Sequence, residues 1–364
     1  MNIAILCFHT IGGSGVVASE LGRQLGRRGH RVHFVGAAQP ERLHPLPAGV
    51  SFHAVPLEEP PPVGRQGFVV SLAARLIEVV RAERIDIVHV HYAVPHAAAA
   101  MLARATGWTP RLVLTLHGSD VPQESASEGR VLLARRMALE ADAVTTPSEA
   151  LAARARERLG LDDSVMVVPN FIDTDRFTPS GERASLPSGP VLMHASNFRP
   201  VKRVTDVVRI FARVRATRPA TLVLVGDGPD RAAVEAEVAA HGLARDVIFT
   251  GFVHDVAPLF RAATLFFMPS QLESFGMATA EAMACGVPVL ASKVGGLPEV
   301  VGEAGVLAHV GDVEAFAVAA LRLLDDGAAR ERLGLAARER AVRLFQPAPV
   351  LARWEEIYRR LLRP

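Results

Sequence analysis

In the stretch "SQLESFGMATAEAMACGVPVLAS" two carboxylates, Glu273 and Glu281, flank a run of small residues. The preceding "TLFFMP" reads as a strand and a helix begins near Met277, so the residues from Gln271 through Ser274 and Phe275 to Gly276 form a strand-to-helix crossing. The first N–H groups of a helix have no partner within it and carry positive partial charge, so Gly276, Met277 and Ala278 would face an oxyanion. Glu273, ahead of the helix, would reach a neighbouring sugar, and Glu281, just over one turn in, a ribose beyond the phosphates. A second stretch, "ASNFRPVKR", sets Asn197, Arg199 and Lys202 where the strand "VLMHA" gives way to a helix starting near Val201. Two cations there can neutralise a diphosphate as the bond to it breaks. Solvated surface charge is the ordinary alternative; against it, only Lys202 and Lys293 are lysines among 40 basic residues, which suits a need for a compact ammonium here, with chance as the other explanation. Together these groups outline a nucleotide-diphosphate-sugar pocket.

Three further stretches bear on a site. Gly12-Gly13-Ser14-Gly15 lies between the first strand and the first helix, where backbone N–H groups can hold an anion or simply make a tight turn. Gly13, Gly15 and Ala18 meet the relaxed dinucleotide spacing, but the next strand ends at Val35-Gly36-Ala37 with no acid for a ribose, so NAD binding loses support and phosphate or carboxylate binding keeps it. "VHVHYAVPHA" offers His89, His91 and His96. His89 and His91 share a strand face; no carboxylates or cysteines stand close in sequence to complete a ligand set, so buried, hydrogen-bonded histidines are the expectation and no metal site is assigned. Tyr92, at the end of that strand, is placed for ligand contact. "LVLTLHGSD" puts Thr115, His117 and Asp120 just past another strand, where a histidine can bond a sugar hydroxyl or share a proton, or merely cap and pack.

The elements that must position these groups alternate. "NIAILCF", "RVHFVG", "IDIVHVH", "RLVLTLH", "AVTTPS" and "VMVVPN" are short apolar runs separated by helical patterns, which imply a largely parallel sheet covered on both faces. Alternation breaks at "NFIDTDRFTPSGERASLPSGP" and resumes with "VLMHAS", "TLVLVGDG", "DVIFTGF", "TLFFMPS" and "PVLAS". The expectation is an α/β chain of two tandem doubly wound domains, 1–168 and 191–344, joined by a linker over 169–190. Three final helical stretches follow, the last of them (345–364) packing back on the first domain. Ligands of such sheets bind beyond the carboxyl ends of the strands, so a cleft between the domains is the expected site.

At 364 residues, 49% of them hydrophobic and 21% charged, the chain suits a soluble protein of about two domains. Its net charge of +2 is spread without blocks, so no nucleic-acid partner is expected. Cys7 and Cys285 both lie in apolar stretches, as packed, reduced thiols of a cytoplasmic protein would. "MNIAILCFHT" has no basic segment before its apolar run, and no stretch is apolar enough to span a membrane, so neither signal peptide nor membrane span is expected. A homodimer is compatible with the sequence.

The spacing of Glu273-Ser274-Phe275-Gly276 and Glu281 resembles the E-x7-E signature of the retaining glycosyltransferases of family 4, and "GGSG", "LHGSD", "VPNFID", "RPVKR", "GDGP" and "VGGLPE" fall in that family's order along nearly the whole chain. The resemblance implies the GT-B fold, with Glu273 on the donor sugar, Glu281 on the ribose, Arg199, Lys202 and the helix start on the diphosphate, and His117 near the sugar's C6 hydroxyl. It also implies front-face transfer in which the leaving phosphate helps deprotonate the acceptor, with neither metal nor cofactor. "HVHYAVPHA", "TLHGSD" and "SNFRPVKRV" are most similar to the branch of the family that uses UDP-N-acetylglucosamine as donor and L-malate as acceptor in bacillithiol biosynthesis. On that likeness Ser14, Tyr92, Thr115 and the cation Arg135 would hold the acceptor. Inositol phosphate remains an alternative acceptor; a lipid acceptor is disfavoured by the acidic, Pro-rich "PLEEPPPVGRQG". A non-catalytic sugar-nucleotide sensor is the alternative of another class.

Overall fold

The computed structural model describes residues 1–9, 13–56, 67–123 and 126–363. The chain divides into two compact units, Met1–Asn170 with Ala348–Pro364, and Phe171–Pro347.

Unit 1 alternates β1 (Asn2–Leu6), α1 (Gly13–Arg27), β2 (Arg31–Gly36), β3 (Val50–Ala54), α2 (Phe68–Glu83), β4 (Ile87–His91), α3 (Ala98–Arg104), β5 (Arg111–Thr115), α4 (Glu128–Glu140), β6 (Ala143–Thr146), α5 (Glu149–Leu159) and β7 (Met166–Val167). Its sheet has the order β3-β2-β1-β4-β5-β6-β7, and every neighbouring pair is parallel. Every residue of β4 is buried, as a central strand covered on both faces requires.

Unit 2 repeats the scheme with β8 (Val191–Ala195), α6 (Val204–Arg215), β9 (Thr221–Val225), α7 (Arg231–Ala240), β10 (Val247–Gly251), α8 (Ala257–Ala262), β11 (Leu265–Met268), α9 (Met277–Ala284), β12 (Val289–Ser292), α10 (Leu297–Val301), β13 (Val306–Ala308), α11 (Val313–Asp325) and α12 (Gly327–Phe345). The order is β10-β9-β8-β11-β12-β13, again all parallel. In each sheet the winding direction reverses once, between β1 and β4 and between β8 and β11. At such a switch point the loops leave the strands in opposite directions and open a crevice for a ligand.

Two strands, β3 and β13, were not expected from the sequence. "VSFHA" is half exposed along its length and "VLA" is three residues long, so neither carries a strong apolar run. The expected helix near Val201 also divides. Pro200–Lys202 is a 3-10 turn, Arg203 adopts left-handed φ/ψ of 51°/45°, and α6 starts at Val204. A left-handed residue cannot continue the α-helical ladder, so Lys202 sits on a separate turn. From there α6 buries Val204, Val207, Val208, Ile210, Phe211 and Val214, the stripe an amphipathic helix turns to its sheet.

The Pro-, Gly- and Ser-rich stretch that opens unit 2 has no helix or strand, yet it is well fastened. Ile172 N–H donates to Phe345, Arg338 donates to the carbonyls of Phe177 and Thr174, and Arg261 to those of Thr178 and Glu182. The final helix, α13 (Pro347–Leu362), belongs to unit 1. Its Tyr358 is fully buried and bonds His89 of β4 through the hydroxyl and Nδ1 at 2.8 Å. Glu355 on the same helix takes a bidentate pair from Arg28 at 2.7 and 3.1 Å. Among the described residues no helix is long and apolar enough to cross a membrane. Both cysteines are free and buried, and burial pushes each thiol up to about 12, which leaves them unreactive.

Candidate active site

In unit 2 the candidate residues follow the two strands that flank the switch point. Lys202 Nζ and Glu273 Oε2 lie 2.5 Å apart, with side chains only 19% and 14% exposed. The two loops are also joined through their backbones, by Gln271 N–H donating to Val201 O at 2.7 Å. The loop after β8 is ordered from beneath. His194 is buried and burial pushes it down to about 4, so the ring is neutral. Its Nδ1 lies 2.8 Å from the carbonyl of Phe267; a carbonyl only accepts, so Nδ1 carries the proton and Nε2 accepts from Ser196 Oγ at 2.8 Å. Ser196 Oγ in turn accepts from Phe198 N–H. This chain of bonds fixes the segment that presents Asn197 and Arg199, both exposed.

Close backbone contacts explain the glycines of two neighbouring loops. A Cβ at Gly226 would stand 1.9 Å from Ser196 O, and one at Gly228 2.1 Å from Asn197 O. A Cβ at Gly295 or Gly296 would stand 2.0 or 2.3 Å from the carbonyl of Glu273 or Ser274, and Gly296 N–H donates to Glu273 O at 3.0 Å. Thus "GDGP" and "VGG" act as walls that hold the two ligand loops. Sequence reasoning used both only as family markers and did not foresee this role.

The helix α9 begins as expected at Met277, after Gly276 at φ 96°, an N-cap residue with no side chain to cap the helix. Met277 and Ala278 are partly exposed, whereas Glu281 is 8% exposed within the second turn. Ser274 is half-buried beside them. The side chain of Phe275 turns inward, 3% exposed, and meets the Phe345 ring edge-on at 5.1 Å. Only its backbone can contact a ligand.

In unit 1 the groups again cluster at the carboxyl ends of the strands around the switch point. Of the glycine loop, Gly12 lies outside the described residues; Gly13 opens α1 at φ 51°, Ser14 is half-buried and Gly15 buried. Tyr92 holds φ 98°, an unfavourable backbone for a bulky side chain, and its hydroxyl donates to Ser119 Oγ at 2.8 Å. His117 Nε2 lies 3.0 Å from His91 Nδ1. Burial, assisted by His96, pushes His117 down to about 3; it therefore acts as a neutral hydrogen-bonding group at physiological pH. Asp120 Oδ1 accepts the N–H groups of His117 and Gly118 at 2.9 and 2.8 Å, which fixes the loop. Burial raises that carboxyl to about 6 in spite of those bonds.

The histidines of "VHVHYAVPH" form a hydrogen-bonded cluster. His89 bonds Tyr358 at Nδ1 and Thr115 Oγ1 at Nε2, the latter at 2.7 Å, and His96 Nδ1 donates to His91 O at 3.0 Å. Thr115 is 3% exposed, and its hydroxyl also meets Thr145 at 2.7 Å. The structure thus brings Tyr92 and His117 into one cluster, with Thr115 beneath it. Arg135 stands apart: it is exposed on α4 with its guanidinium against Gly160 at the end of α5. A cation that sequence reasoning missed, Arg154, donates to Val121 O at 2.7 Å beside the "HGSD" loop; one more arginine in "LAARARERL" carries no signal of its own.

Comparison with known proteins covers both units. Residues 11–176 match the family described as Glycosyltransferase Family 4, and residues 189–326 that described as Glycosyl transferases group 1. The N-acetyl-alpha-D-glucosaminyl L-malate synthase of Bacillus anthracis is 37% identical, over 100% of this chain and 98% of that protein. A D-inositol 3-phosphate glycosyltransferase of Stackebrandtia nassauensis is 31% identical over 94% of this chain and 88% of its own length. Among solved structures, the sucrose-phosphate synthase of Thermosynechococcus elongatus superposes with a TM-score of 0.81 at 23% identity, covering 99% of this chain and 98% of that one. Anabaena HepE in complex with UDP-glucose also superposes at 0.81, with 21% identity over 99% of this chain and 100% of HepE. With relatives aligned from end to end and two parallel sheets each reversing at a switch point, the chain belongs to the family 4 glycosyltransferases and has the GT-B fold.

Proposed function

We propose that this enzyme moves N-acetylglucosamine from UDP-N-acetylglucosamine to the hydroxyl of L-malate, with retention and without a metal, as the first step of bacillithiol biosynthesis. One observation carries the reading: Lys202 and Glu273, 71 residues apart in the chain, meet at 2.5 Å ahead of helix α9, whose N-cap residue is Gly276. A cation beside the N–H groups of a helix start, which have no partner within the helix, suits a diphosphate, and a carboxylate held by that cation suits a sugar hydroxyl. In this reading Arg199, Lys202 and the N–H groups of Gly276, Met277 and Ala278 take the diphosphate, together with the loop at Gly13, Ser14 and Gly15. Glu281 takes the ribose, Asn197, Ser274 and the Phe275 backbone line the donor, and Glu273 and His117 orient the sugar.

The acceptor is assigned to Ser14, Tyr92, Thr115 and Arg135. Arg135 would leave its contact with Gly160 to reach a carboxylate, and Thr115 would give up one of its present bonds. In the transfer the acceptor hydroxyl oxygen bonds to the sugar's anomeric carbon as the bond from that carbon to the phosphate oxygen breaks. The hydroxyl proton passes to the departing phosphate, and UDP leaves with the electron pair. The cytoplasm, where UDP-sugars and malate are at hand, is the location that suits this chemistry.

The full-length likeness to the Bacillus anthracis malate synthase supports this donor and acceptor. The likeness to the D-inositol 3-phosphate transferase favours inositol phosphate as the second reading of the acceptor. The test is UDP release from UDP-N-acetylglucosamine in metal-free buffer, comparing L-malate, D-malate, inositol 1-phosphate and no acceptor. Release that needs L-malate supports the proposal. Release with inositol phosphate alone replaces the acceptor, and no release with any of them points to a sensor.

A further inference from the structure

His33 and His53 meet at the edge of the first sheet, on strands that carry none of the candidate active-site residues. In the parallel register of β2 and β3, His33 stands opposite Ser51 and Val35 opposite His53, so the alternation of a strand puts both imidazoles on one face. Glu83, the last residue of α2, adds a carboxylate from the end of the helix that covers the strands' amino ends. A ring nitrogen of each histidine and a carboxylate oxygen of Glu83 all lie within 4.8 Å of one another.

His33 Nδ1 and His53 Nε2 are 3.1 Å apart. Two imidazoles on one tetrahedral Zn²⁺, each at about 2.0–2.1 Å, hold their nitrogens roughly 3.3 Å apart, so the pair already stands close to chelating distance. The His33–His53 hydrogen bond occupies one nitrogen of each ring. The two rings share one proton between them, and His33, 2% exposed, keeps an Nε2 with no partner among the described residues. Arg31 reaches Glu83 only at Oε2, at 3.4 Å, and Arg75, the other nearby cation, is paired with Glu78 at 2.6 Å.

We propose that His33, His53 and Glu83 bind a late first-row divalent cation, with Zn²⁺ the best match to two imidazoles and one carboxylate and a fourth position left for water. The ligands come from three elements, so the cation fastens the edge strand β3 and the end of α2 to β2. Glu83 lies by the amino edge of the sheet and the two histidines on its outer strands β2 and β3, whereas Tyr92 and His117 follow β4 and β5, and β1 separates β2 from β4. The cation therefore has a structural role and takes no part in glycosyl transfer.

The test uses the full chain, stripped with a chelator and dialysed, then titrated with Zn²⁺ in competition with a chromophoric chelator. The expected result is one equivalent bound, with thermal unfolding of the wild type shifted upward by the metal. His53→Gln and Glu83→Gln should each weaken binding by at least the roughly tenfold seen on losing outer-shell support at zinc sites and abolish the thermal shift. His241→Gln, at an exposed histidine that pairs with Glu237, should bind as wild type, and far-UV circular dichroism reports that each variant is folded. Absence of saturable binding at low micromolar Zn²⁺, or binding unchanged in both folded ligand variants, overturns the proposal.

Discussion

Replacing Lys202 by Met removes the ammonium and leaves the largely buried carboxylate of Glu273 without that cation. The pair is 2.5 Å long and both side chains are more than four-fifths buried, so solvent screening is weak, although the partial exposure keeps the effect below that of a fully buried pair. Stranding one partner of a buried pair costs about 3–5 kcal/mol; for this one about 2–3 kcal/mol is expected. Replacing both partners, Lys202→Met with Glu273→Gln, should recover at least about 1 kcal/mol, because no unpaired charge then remains. Tryptophan fluorescence cannot read this, since Trp108 and Trp354 both belong to unit 1. Hydrogen exchange over residues 196–204 and 270–278, with denaturation followed by circular dichroism, reads unit 2 directly. On the functional side, loss of one charge-assisted contact to the diphosphate, about 1.5–3 kcal/mol, should raise the Kd for UDP roughly 10- to 150-fold by calorimetry. A single variant with exchange, stability and UDP affinity all within twofold of wild type would refute both the energetic argument and the assignment of Lys202.

Glu273→Ala should abolish transfer while UDP affinity stays within a few-fold, because the carboxylate is assigned to the sugar; a variant that turns over at the wild-type rate removes that role. Tyr358→Phe deletes the hydroxyl bonded to His89 and leaves a buried ring nitrogen unpaired, so unit 1 should lose about 1–3 kcal/mol, read by Trp354 fluorescence during urea unfolding. Gly295→Ala pushes a Cβ to 2.0 Å from Glu273 O at φ +53° and should destabilise unit 2 by more than about 1 kcal/mol and impair turnover, whereas Gly129→Ala, with open space at its Cβ on α4, should do neither. Stability should also depend on pH. His89 and His117 at about 3 and His96 and His194 at about 4 are held neutral in the fold, so the unfolded chain binds more protons once pH falls below about 6.5. Each contributes a loss of up to about 1.4 kcal/mol per pH unit from there down to its folded pKa. Asp120, raised to about 6, acts in the opposite sense between about 3.9 and that value, and one carboxyl does not offset four histidines. Denaturation midpoints that stay constant from pH 7.5 to 5 would contradict the buried neutral cluster.

Much of this molecule was legible from local pattern. Apolar runs of strand length, the helical stripes between them and the glycine-rich crossings are short-range features, and they yielded the doubly wound architecture, the crossing at Gln271 to Gly276 and the start of α9 at Met277. The strands that escaped, β3 and β13, are a half-exposed strand and one of three residues, where little hydrophobic signal exists. The break at Arg203 escaped because nothing in "PVKRV" announces a left-handed residue that is not glycine.

What the sequence by itself determined was which residue types stand at the carboxyl ends of which strands. Only the tertiary structure decided which of them meet. Lys202 reaches Glu273 across 71 residues and His89 reaches Tyr358 across 269, contacts that depend on strand order, register and the return of α13. The same holds for His33 and His53, whose rings meet because β2 and β3 pair in one register and not in the next. Local propensity acts over a few residues, whereas these contacts follow from how whole sheets bury their faces, and that is a property of the assembled chain.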